Sequence, residues 1–93
     1  MTQDQQDALL SKIYSHYGRP SNISTIKFAI YKGWNSNNTQ RARVFIYHLV
    51  PCPEMGPDKV NIVSYFLKIN KNTIRVYTKN CNLDPDLVLD IRE

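Results

Sequence analysis

The sequence predicts an α+β domain: an N-terminal helix packed on a four-stranded antiparallel meander, with a short C-terminal helix. Three observations carry that expectation. Apolar residues recur at helical spacing only near the start of the chain, in Leu10, Ile13, Tyr14 and Tyr17, with Leu9 widening the stripe. From Ser24 onward the pattern changes to period two. Between Lys59 and Lys79, β-branched and aromatic residues crowd two arms around the polar tetrapeptide Asn70-Lys71-Asn72-Thr73. The 93 residues form one domain with one core. At this size about two thirds of the unfolded chain's surface is buried, so folding requires neither disulfide nor metal.

The helix is expected over residues 3 to 17. Thr2 and Gln5 stand at the spacing of a capping box, each side chain satisfying the other's backbone N–H. Gly18 offers a left-handed stop and Pro20 prevents resumption.

A first strand follows from Ser24 to Lys32, with Ile26, Phe28 and Ile30 on one face and Lys27, Ala29 and Tyr31 on the other. The run from Gly33 to Thr39 reads as a turn-forming loop anchored by Trp34, and Gln40 to Val50 as the returning strand. Arg41 and Arg43 must face water there. Parity then places Phe45, Tyr47 and Leu49 on the wet side and Ala42, Val44, Ile46 and Val50 inside. Pro51 to Asp58 is a proline-rich connector that belongs to neither strand. In the next hairpin the arm from Val60 to Ile69 is apolar on both faces, the mark of a central strand with a neighbour on each side. At the end of the chain Asp84-Pro85-Asp86 resembles a helix start, with proline at the first helical position. The rival reading is a fifth strand, because Leu87, Leu89 and Ile91 also alternate. The order of helix and antiparallel strands is similar to that of cystatin-like domains, a likeness of element order that carries no residue or activity with it.

Charge is distributed unevenly. Residues 8 to 81 hold eleven Lys or Arg against Glu54 and Asp58, while Asp4, Asp7, Asp84, Asp86, Asp90 and Glu93 cluster toward the ends. A basic body of this kind suits an anionic partner. The acid- and amide-rich start lacks the basic n-region of a signal peptide, and no apolar run approaches membrane-spanning length. A cytoplasmic protein without membrane attachment is therefore expected, and the sequons at Asn22 and Asn37 are read as chance. Cys52 and Cys81 lack the paired spacing of a zinc or redox site and are expected as reduced thiols, with a disulfide between them as the alternative.

No catalytic constellation is legible. His16, His48, Cys52 and Cys81 stand at no spacing that local geometry converts into a nucleophile-base pair or a metal site, although His48 and Cys52 are close in sequence. Gly18, Gly33 and Gly56 are isolated, so no phosphate loop exists. No enzymatic activity and no cofactor are expected. What remains is the outer face of the sheet. Parity gathers Lys27, Tyr31, Arg41, Arg43, Phe45, Tyr47, Phe66, Lys68, Arg75 and Tyr77 there, with Trp34 from the adjoining loop. Aromatic rings flanked by cations suit docking on a protein partner or self-association. The alternative is a platform for single-stranded nucleic acid, in which bases stack and cations track phosphates.

Overall fold

The computed structural model describes residues 1–31, 39–52, 54, 56–78 and 84–91. Its elements are α1 (Gln3–Tyr17), β1 (Ile23–Ile30), β2 (Gln40–Val50), β3 (Lys59–Ile69), β4 (Thr73–Tyr77) and β5 (Leu87–Asp90). The strands form one antiparallel sheet in the order β1-β2-β3-β4-β5, so every strand pairs with its sequence neighbour. Among the described residues, no helix is long and apolar enough to cross a membrane.

The capping box closes as expected. Gln5 N–H donates to Thr2 Oγ1 at 3.1 Å and Thr2 N–H to Gln5 Oε1 at 3.0 Å. Gly18 ends the helix at φ 97°, donating its N–H to Tyr14 O at 2.9 Å. Leu9 and Ile13 form the buried centre of the helical stripe, and Leu10, Tyr14 and Tyr17 flank it. They pack on Ala42, Val44 and Ile46 of β2, Tyr65 and Leu67 of β3, and Ile74 and Val76 of β4.

The turn between β3 and β4 reverses without glycine and without a positive φ. Asn70 Oδ1 accepts from Asn72 N–H at 3.0 Å, Thr73 N–H at 2.8 Å and Thr73 Oγ1 at 2.9 Å, a side chain standing in for backbone.

The strand count and the end of the chain depart from expectation. The sheet has five strands rather than four, and the segment after Asp86 is the fifth strand rather than a C-terminal helix. Leu87 and Leu89 lie opposite Val76 and Ile74 and, with Ile91, pack against the core. The backbone is bound at both ends, Asp86 N–H to Val76 O at 2.9 Å and Ile91 N–H to Asn72 O at 2.8 Å. Asp86 spends its carboxylate on Thr78 N–H and Oγ1, at 3.0 and 2.9 Å, instead of capping a helix. A cap contributes about 1 kcal/mol, whereas a ladder that also seats several aliphatic side chains on the core contributes more.

The place of β3 inside the sheet, between β2 and β4, is as expected. It has a strand on each side only from Phe66 to Ile69, where β4 pairs with it. Toward Lys59 its described neighbour is β2 alone. The apolar residues there that parity sends away from the core, Val60 and Ile62, are each 56% exposed.

Candidate functional site: the sheet face opposite the helix

α1 covers the face bearing Ile26, Val44, Leu67 and Val76, and no described element covers the opposite one. The strand registers order that opposite face into rows. The first reads Tyr31, Arg41, Lys68, Arg75, Val88, with Tyr31 N–H bonded to Arg41 O at 2.9 Å. The next is Ala29, Arg43, Phe66, Tyr77, and then Lys27, Phe45, Ser64. Beyond these come Thr25, Tyr47, Ile62 and finally Leu49, Val60. The face thus grades from cationic, through aromatic mixed with cations, to apolar and uncharged. Neighbouring rows are two residues apart, so about 7 Å separates them along the strands.

In the middle rows the rings are already paired with cations of the same chain. Arg43 Cζ lies 4.0 Å from the Phe66 ring centroid and 5.7 Å from that of Phe45. Cross-strand opposition brings the first ring under the guanidinium and the i+2 relation brings the second. Lys27 Nζ stands 5.5 Å from the Tyr47 centroid, and Lys68 Nζ 5.3 Å from that of Tyr77. These separations are those of cation–π contacts. Arg43 Nε is buried without a hydrogen-bond partner, so the guanidinium is held there chiefly by the rings.

The structure brings together Lys27, Tyr31, Arg41, Arg43, Phe45, Tyr47, Phe66, Lys68, Arg75 and Tyr77 on one face. Trp34 and Cys81 lie outside the described residues. Tyr77 is on the expected face but is 5% exposed, which makes it a support for the surface rather than an offered ring. No family model, no curated protein and no solved structure matches this chain. Val60 and Ile62 went unassigned to this face in the sequence, although the parity that places Phe66 there also places them two and three steps further along.

The displaced titrations lie elsewhere. Tyr17 stacks on Tyr65 with centroids 4.7 Å apart, and His16 meets the Tyr17 ring edge-on at 4.6 Å. The Tyr17 hydroxyl is buried and has no partner in hydrogen-bonding geometry. Burial first, then the nearby Asp86 carboxylate, pushes its pKa up to about 12. Burial also raises Tyr65, while the hydrogen bonds from Thr78 lower Asp86. The ring stack fastens the end of α1 to β3, and the Thr78 bonds hold Asp86 just before β5.

His48 sits half-buried on the helix-side face of β2 between Ile23 and Asn61, and Cys52 is a free thiol. Two surface hollows, of about 430 and 340 Å³, lie along the outer side of α1 and between α1 and β5, and neither is lined by histidine or cysteine. Among the described residues, no three of His, Cys, Asp and Glu converge as metal ligands.

Proposed function

We propose that the chain is a non-enzymatic binding module that docks on an acidic protein partner through the sheet face opposite α1, with Lys27, Arg43 and Phe45 at the centre of contact. The observation that carries this reading is the pairing of ring and cation within the chain, above all Arg43 on Phe66. A nucleic-acid platform works by stacking bases on bare rings. Here the cations already lie over those rings, and a base entering the middle rows must displace Arg43, Lys27 or Lys68. Carboxylates of a protein partner ask for no such displacement. They approach the outer edges of the cations while the rings below contribute apolar contact. The register also sets Arg41, Lys68 and Arg75 directly opposite one another. A row of cations on one face steers an acidic partner toward it.

The test uses two probes on one protein: a short peptide of glutamates interspersed with leucine and phenylalanine, and an oligothymidylate of similar length. The peptide is expected to bind at physiological salt, with Arg43→Ala or Phe45→Ala weakening it about tenfold or more, as hot-spot truncations do. Oligothymidylate binding is expected to fade between low and physiological salt, with a log-log slope of about −0.7 per phosphate contact. Submicromolar, salt-resistant oligonucleotide binding that Tyr47→Ala abolishes overturns the reading.

A further inference from the structure

The molecule has more surface than its mass calls for. Its accessible area is 6615 Å², against about 5,500 Å² for a compact monomer of 10.8 kDa. Its radius of gyration is 14.7 Å, against about 12 Å for a chain of this length. At the far end of the β2–β3 hairpin β3 runs on beyond its pairing with β4, and Val60 and Ile62 there are each 56% exposed.

The three outer edges of the sheet differ. β5 is four residues long, and Lys12 Nζ donates to Val88 O at 3.3 Å across it. β1 carries the exposed Lys27 and an irregularity between Ile23 and Thr25. Shortness, charge and irregularity are the means by which edges are kept from pairing. The far part of β3 has none of them from Val60 to Ser64. Asn70 N–H bonds to Thr73 O, so even-numbered residues of β3 direct their backbone groups toward the β4 side. Val60, Ile62 and Ser64 therefore present N–H and C=O along an edge unpaired among the described residues. Val60 and Ile62 are also the most exposed large aliphatic side chains described, and Tyr47 and Leu49 lie beside them without charge.

We propose that this edge pairs antiparallel with the same edge of a second copy, about a two-fold axis at Ile62. Ile62 then faces Ile62 of the other copy and Val60 faces Ser64, all three pairs being of the hydrogen-bonded kind. The side-chain pattern is its own complement, as an isologous contact requires. Lys59 projects from the opposite face, and antiparallel pairing sets the two copies of it roughly 20 Å apart at about 3.3 Å per residue, so no like charges meet. No residue of the two apolar rows is itself a cation, Lys27 reaching the Tyr47 ring from the neighbouring row, and the aliphatic, self-complementary pattern of Val60, Ile62 and Ser64 favours a second copy as the occupant. The inference does not rest on the proposed function, whose contacts lie in the cationic and aromatic rows.

Sedimentation equilibrium on the whole chain tests it. At about 200 μM, a concentration suited to an interface at the small end of the range, the mass should approach twice 10.8 kDa. Ile62→Pro removes an outward N–H that no described strand uses, so the chain should stay folded by circular dichroism and return to the mass of one copy. Ile62→Lys and Ile62→Glu should each be monomeric alone and re-form the doubled mass when mixed, because only this register sets the two side chains opposite each other. A native chain that remains monomeric overturns the proposal, whether or not it accepts a peptide at this edge. So does a doubled mass that survives Ile62→Pro, or a mixture that stays monomeric.

Discussion

From Phe66 to Ile69, β3 has β2 on one side, β4 on the other and α1 packed against its inner face. Toward Lys59 its described neighbour is β2 alone. Both ends are rich in the same residue types, yet Leu67, on the face under α1, is 0% exposed and Ile62, on the opposite face and beyond β4, is 56% exposed. Tyr65, stacked beneath Tyr17 at the end of the helix, marks the boundary. An apolar residue contributes stability only in proportion to the area its neighbours remove from water. Within one strand that proportion passes from complete to less than half. The face bearing Leu67, Tyr65 and Val63 therefore builds the core, and Val60 and Ile62 are left as surface for other use.

The largest expected effect tests that contrast directly. Leu67→Ala should cost about 2–5 kcal/mol in urea unfolding, the range for a large aliphatic lost from a closed core. Ile62→Ala, measured at dilute protein, should cost under about 1 kcal/mol, because much of the side chain is already wet. Equal losses would break the comparison.

A smaller effect probes the boundary. The Tyr17 pKa is raised from 10.0 to about 12 in the folded chain, so the folded state holds the proton longer than the unfolded one. The associated stability is present below pH 10 and is lost as pH climbs toward 12. Tyr17→Phe should keep the ring stack, lose the unpartnered hydroxyl and flatten the alkaline limb of a stability–pH profile. An unchanged alkaline limb would place the hydroxyl in water. The smallest effect concerns the start of β5. Asp86 is lowered from 3.8 by its hydrogen bonds from Thr78, so its contribution is present above that value and disappears as pH falls through the folded pKa. Asp86→Asn should slightly lower stability at neutral pH and shrink the loss on acidification.

By itself the sequence determined whatever depends on residues a few positions apart. The helix limits follow from Thr2, Gln5 and Gly18, and the reversal at Asn70 from one side chain. The division of β2 into an Arg43 face and a Val44 face follows from strict alternation, which is why most of the candidate site is legible in the sequence. What depends on distant segments was decided only by tertiary structure. Asp84-Pro85-Asp86 carries a local helix signal that lost to the ladder with β4 and the apolar contacts beneath it. The placement of Arg43 over Phe66 required the β2–β3 register, and the burial of Tyr77 its position beside Phe66 and Lys68. The two-sided apolar pattern of β3 has the same look in a strand flanked on both sides and in one that runs past its neighbour. Period reports which face a residue takes, and only the packing of other elements decides whether that face is closed.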